Sequence, residues 1–271
     1  MRADVGVSRT VLPLAFSAAM VLAAHAAPAQ GVNDFDRAVQ ESTRIVESAQ
    51  STRIERLDAL AARGGLFRKT GQFDLAIVDF TEVLQNRPGA DDIYVERGMA
   101  YVSTMQSALA MTDFSDALRI NPDNRSALNQ RASLYRSQGV YDEAIRDLDR
   151  SVALDGTDPW AVSERGLDYL AEAAFEAAIA DFTHALELTP TSAWTLGERG
   201  VAYLRSGHAD KAIADLTHAL ELDEGDAWSL YARGVARKKA GDIEGAERDI
   251  AAARKLWPDV AAAAVKDGIT P

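Results

Sequence analysis

At 271 residues, 47% hydrophobic and 26% charged, the chain has the composition of a folded, soluble protein able to bury a core. A formal net charge of −12 removes the electrostatic footprint of a general nucleic-acid binder. The absence of cysteine excludes disulfide frameworks, thiolate nucleophiles and cysteine-ligated metal centres.

The chain opens with Arg2 and Arg9 ahead of an apolar run, Val11 to Ala24, and then small residues in A-x-A order at Ala24-His25-Ala26 and Ala27-Pro28-Ala29. This is the layout of a secretory signal peptide over residues 1–29, with a mature chain starting near Gln30 in the periplasm of a bacterium or outside the cell. The run is shorter than the ~20 apolar residues a spanning helix needs, and Pro13 interrupts it, so no membrane span is expected after cleavage.

Residues 30–56 contain "FDRAVQESTRIV" (35–46), which is similar to "FDLAIVDFTEVL" further on at 73–84. It predicts a degenerate half-repeat, a capping helix laid over the first full unit.

From Leu57 to Val260 the sequence divides into six 34-residue units without an insertion: 57–90, 91–124, 125–158, 159–192, 193–226 and 227–260. One column is small throughout: Gly64, Gly98, Ala132, Gly166, Gly200, Gly234. Three residues later stand Phe67, Tyr101, Tyr135, Tyr169 and Tyr203, with Arg237 as the exception. Further on an alanine never varies (Ala76, Ala110, Ala144, Ala178, Ala212, Ala246), and four beyond it come Phe80, Phe114, Leu148, Phe182, Leu216 and Ile250. Spacings of three and four place each set on one face of a helix, so every unit predicts two helices. Asn124, Asp158, Ser192 and Asp226 are placed as N-caps of first helices, and Pro88, Pro122, Pro190 and Pro258 follow second helices.

These columns and this period resemble the tetratricopeptide repeat. The resemblance implies an all-α, right-handed solenoid of stacked antiparallel helix hairpins with a concave groove, in a family whose members mostly bind proteins. One departure runs through all six units. Where the family carries leucine just before the small residue, this chain has Arg63, Arg97, Arg131, Arg165, Arg199 and Arg233.

Sixteen residues after each arginine comes an aspartate: Asp79, Asp113, Asp147, Asp181, Asp215, Asp249. An arginine on a packing face calls for a partner, and these columns predict six structural ion pairs, each arginine bonding the aspartate of its own unit or that of the preceding one. Removing one member of such a buried pair strands a charge at a cost of ~3–5 kcal/mol.

The last unit turns polar at Arg237, Glu247 and Arg254, as the exposed end of a stack must. Beyond it, residues 261–271 form a short cap or tail, with "DVAAAAVK" (259–266) predicting a brief closing helix.

The face of the first helices that should line the groove changes along the chain. Asp58, Asp92 and Ser126 give way to Trp160, Trp194 and Trp228, accompanied by Tyr231, Leu167, Leu170 and Leu204, with Arg205, Lys238 and Lys239 at the edge. Large apolar side chains on a solvated face mark an interaction site, here for a protein or peptide segment with apolar anchors. The family's carboxylate-binding variety uses Lys and Asn on this face. Ala61, Gly65, Val95 and Met99 hold those places, so capture of a C-terminal carboxylate is not expected. The other reading of the surface is an envelope receptor for a small molecule or glycan.

Chemistry is not in evidence. No G-x-S-x-G, H-E-x-x-H, G-x-x-x-x-G-K or G-x-G-x-x-G occurs, so neither catalysis nor a cofactor is expected. His184 and His218 lie one period apart, and equivalent residues on successive helices are too far apart, at ~8–10 Å or more, to share a metal. The function expected is that of an exported, non-catalytic scaffold or adaptor.

Overall fold

The computed structural model describes residues 34–270, all helices and turns, and the predicted leader lies outside them. A single helix, α1 (Asp34–Glu47), precedes six hairpins. These are α2 (Arg53–Lys69) with α3 (Phe73–Asn86), α4 (Asp91–Ser103) with α5 (Ser107–Ile120), and α6 (Arg125–Ser137) with α7 (Tyr141–Leu154). Then follow α8 (Pro159–Ala171) with α9 (Phe175–Leu188), α10 (Ala193–Arg205) with α11 (Ala209–Leu222), and α12 (Ala227–Lys239) with α13 (Ile243–Leu256). The short α14 (Val260–Lys266) comes last.

From α4 onward every first helix starts on the first residue of its 34-residue unit. Helix α2 starts one turn earlier, because Thr52 and Glu55 form a capping box: the Glu55 N–H donates to Thr52 Oγ1 at 3.2 Å and the Thr52 N–H to Glu55 Oε2 at 2.8 Å. That extra turn explains why Phe35 is matched to Phe73 rather than to a residue one strict period away. Asn124, Asp158, Ser192 and Asp226 all accept a backbone N–H at the start of their helices.

The hairpins are held by the small-residue column meeting the bulky one. A Cβ on Gly98 would stand 2.5 Å from Phe114 Cε1, and one on Gly64 2.8 Å from Phe80. The close approach is thus between the two helices of one unit. Phe80, Phe114, Leu148, Phe182 and Leu216 have no exposed surface, and burying each contributes roughly 1.5–3 kcal/mol.

Each first helix turns into its second through three residues, and the N–H of the last of them reaches back five residues, as in His208 N–H to the Tyr203 carbonyl at 2.8 Å. That bond needs a left-handed residue in the middle of the turn. The column is Gly71, Met105, Gly139, Ala173, Gly207, Gly241, with φ of 59° at Met105 and 57° at Ala173.

First helices of neighbouring units touch, α2 with α4, α4 with α6, α8 with α10 and α10 with α12, and no two second helices approach to a comparable extent. The stack therefore curves with its first helices on the inside. At its end α14 packs on α12 and α13. Val260, Ala264 and Ile269 join the same apolar cluster as Val201, Leu204, Tyr231 and Val235. The closing segment thus lies against the inner, first-helix side as well as the end of the stack. The terminal face beside it is polar, with Glu247 and Arg254 exposed and Arg237 bonded to Asp249 at 2.8 Å.

Candidate functional site

Two arrangements are built from the singled-out residues: a ladder of ion pairs inside the stack and a cleft on its inner face. In the ladder, every arginine pairs with the aspartate of its own unit through two bonds. Arg199 Nε donates to Asp215 Oδ2 at 2.7 Å and Nη2 to Oδ1 at 2.9 Å. Arg63–Asp79, Arg97–Asp113, Arg131–Asp147, Arg165–Asp181 and Arg233–Asp249 repeat this fork. The bonded carboxylate holds each of Arg63, Arg97, Arg131, Arg165 and Arg199 above the usual arginine pKa, against the opposing effect of burial.

The remaining nitrogen reaches the helix before the arginine's own, α1 for Arg63 and the preceding unit's second helix for the others. Nη1 donates to Thr43, Thr81, Ser115, Thr183 and Thr217 at 3.1–3.4 Å, and in unit four to the carboxylate of Asp149 at 2.9 Å. The guanidinium also lies over the aromatic ring one turn on, 5.7 Å from Phe67 for Arg63 and 6.0 Å from Tyr203 for Arg199. The tyrosine column is therefore part of the same device.

On the inner face the tryptophans differ. Trp160 and Trp194 are 42% and 47% exposed, whereas Trp228 is partly buried with its ring 6.4 Å from that of Trp257. Lys238 and Lys239 are exposed, and Leu167 and Arg205 partly so. Tyr231, Leu170 and Leu204, expected on the open surface, are buried at 1%, 6% and 2% exposure. They belong to the cluster that Val260, Ala264 and Ile269 complete, so apolar side chains that would line an open groove pack within the chain's own core.

What remains open is a cleft of about 700 Å³ between α8, α10, α12 and the closing segment. Trp194, Trp228 and Trp257 wall it, with Leu167 and Val201 on its apolar side. Its charges are Glu198, Asp223, Asp226 and Asp267 against Arg136 and Arg205. Arg136 is occupied, donating from Nε to Asp168 at 2.5 Å and from Nη1 to Glu164. Asp168 is fully buried, which raises its pKa although Arg136 pulls it back. Arg205 donates to the Leu170 carbonyl at 2.9 Å and lies 5.1 Å from the centre of the Phe175 ring. Burial in the cleft, reinforced by Asp226 and Asp267, pushes the Glu198 carboxyl up to about 7.

Among the described residues no group of three or more His, Asp or Glu side chains is placed to hold a metal, and no helix is long and apolar enough to cross a membrane.

Sequence models of the tetratricopeptide repeat match residues 95–159 and 195–226. The chain is a tetratricopeptide-repeat protein. No curated protein matches it in sequence. Among solved structures it is similar to PilF of Pseudomonas aeruginosa, with TM-score 0.64 and 20% identity over 76% of this chain and 94% of that one. YrrB, described as a TPR protein with an unusual peptide-binding site, superposes with TM-score 0.60 and 19% identity over 69% of this chain and 97% of that one. MamA does so with TM-score 0.57 and 22% identity, covering 67% and 97%. At these identities the likeness is one of fold.

Three parts of this tetratricopeptide-repeat protein escaped the reading of its sequence. The Thr/Ser/Asp column two residues after the first five aspartates was visible as a period, and only the geometry shows that it receives the third bond of the next unit's arginine. Trp257 stands just ahead of Pro258 and lies outside the tryptophan column, so no repeat position drew attention to it. Glu198 looked like any polar residue of a first helix.

Proposed function

We propose that the protein is an exported, non-catalytic scaffold that holds a protein or peptide partner on its inner face, at the tryptophan-walled cleft of units four to six. The observation that carries this reading is the exposure of Trp160 and Trp194 beside a cleft of about 700 Å³, on a face built from first helices. Indole rings at the rim of a concavity offer a partner large apolar area at small entropic cost. The interaction role in general is what scaffold-type tetratricopeptide neighbours support. Export rests on Arg2, Arg9, the apolar run from Val11 and the small residues before Gln30.

The test is affinity capture from envelope extract with the mature protein and a Trp160→Ala, Trp194→Ala, Trp228→Ala variant of unchanged helical content. Loss of a defined protein from the variant's eluate is expected. Identical eluates would move the site away from this face. Export is checked by N-terminal sequencing of protein from the periplasmic fraction, expected to begin near residue 30. An intact Met1 in the cytosol overturns it.

A further inference from the structure

The register of the repeats shows a missing charge. Glu96 on α4 and Glu164 on α8 hold the same place in their units, and each is bonded by an arginine 28 residues earlier on the preceding first helix. Arg68 Nε meets Glu96 at 2.6 Å, and Arg136 meets Glu164. Glu198 holds this place on α10, and the residue 28 positions before it is Leu170. Among the described residues nothing bonds to the Glu198 carboxylate. The charges that act on it are the negative ones of Asp226 and Asp267.

The space at Glu198 is the cleft. Trp194, Trp228 and Trp257 present ring surface there, which attracts cations as well as apolar groups. Ser229 Oγ, fully buried in the same wall, has no hydrogen-bond partner. Both guanidiniums of the cleft are committed elsewhere, Arg136 to Glu164 and Asp168, Arg205 to the Leu170 carbonyl and the Phe175 ring. The cleft thus has unmatched negative charge and aromatic walls.

We infer that this cleft binds an arginine side chain of a partner protein, the guest supplying at Glu198 the guanidinium that Arg68 and Arg136 supply within the chain. A guanidinium matches a carboxylate fork and stacks on indole, which an ammonium does less well. The inference rests on the partner-binding reading only in taking its cation from a protein. The titratable and charged groups that share the cleft with Glu198 are Asp223 and Asp226 from the loop before α12, Asp267 beyond α14, Arg205 on its own helix, and Arg136 and Tyr141 across it. A guest cation favours the ionised carboxylate, so affinity rises as pH climbs through about 7.

The experiment follows tryptophan fluorescence as the whole mature protein is titrated with N-acetyl-arginine methylamide and its neutral isostere, N-acetyl-citrulline methylamide, and with acetylated pentapeptides differing by the same pair. At pH 8 the arginine compounds are expected to bind about tenfold tighter than their citrulline twins, with the margin shrinking at pH 6. Glu198→Gln, nearly isosteric, and Leu170→Arg, which places inside the chain the residue found at positions 68 and 136, are both expected to erase the margin. Equal affinity for the twins, a margin that survives Glu198→Gln, or no binding of either compound overturns the site. If envelope capture retains the same partner with wild type and Glu198→Gln and no arginine preference exists, the cation site falls and the scaffold stands. An arginine preference with no protein retained in capture has the opposite meaning.

Discussion

Each arginine of the ladder ties three helices: its own, the second helix of its unit through the aspartate, and the helix before its own through a hydroxyl or Asp149. With side chains only 18% and 13% exposed at Arg199 and Asp215, removing either leaves its partner's charge stranded. Arg199→Leu and Asp215→Leu are each expected to cost ~3–5 kcal/mol in urea unfolding, and the double variant to recover most of it. Strictly additive losses would show that the pair is not an energetic unit. A second expectation concerns Glu198, whose pKa is raised in the folded protein to about 7 from an ordinary 4.5. Between those values the folded state holds the extra proton, so this group's contribution to stability is full below the lower value and lost as pH rises through the upper one. Glu198→Gln should therefore raise the urea midpoint at pH 8 more than at pH 5, and an equal shift at both would refute a raised pKa. At this scale the sequence allowed each aspartate to be matched with two arginines, its own unit's and the next one's. The choice needed geometry, because both sit at spacings a stack can bring together.

The helices themselves were legible because their signals repeat. Small residue, aromatic, alanine and bulky residue return at fixed offsets, and five first helices begin where the period puts them. The turns between them were less so. Ser206-Gly207 reads as a break, but Met105 and Ala173 hide the left-handed position that Gly71, Gly139, Gly207 and Gly241 make plain. A side chain with a Cβ costs ~1–2 kcal/mol in that conformation and glycine's extra chain entropy ~0.5–1 kcal/mol, so Met105→Gly and Ala173→Gly are each expected to stabilise the protein by roughly 0.5–1 kcal/mol. Met105 is 90% exposed, so no packing is lost with its side chain. Lower thermal midpoints in either variant would mean that the turn is not held left-handed. The opposite change at a packed position, Gly98→Ala, pushes a methyl against Phe114 and is expected to destabilise by ~1–3 kcal/mol.

Over the whole molecule the stack of hairpins followed from the period, and the resting place of the closing segment did not. "VAAAAV" is too uniform to have a face, so nothing in it says that Val260 and Ala264 settle against α12 with Ile269 beside them. As a result Tyr231, Leu170 and Leu204 were read as open surface. Deleting residues 259–270 is expected to lower the thermal midpoint and raise binding of a hydrophobic dye, since the cluster around Tyr231 loses its cover. An unchanged dye signal would mean that the segment is not what shields it. The ladder has a further consequence when the solenoid is considered as a spring. Pulled from its two ends, it would yield joint by joint, each joint carrying one rivet of the ladder to the preceding coil. Five rivets end on a hydroxyl, and the one between α7 and α8 ends on Asp149, half-exposed to the ions around it. Raising the salt concentration should leave the five hydroxyl rivets as strong as before and soften that one, so the place of the ladder's salt-sensitive rivet is fixed by one aspartate.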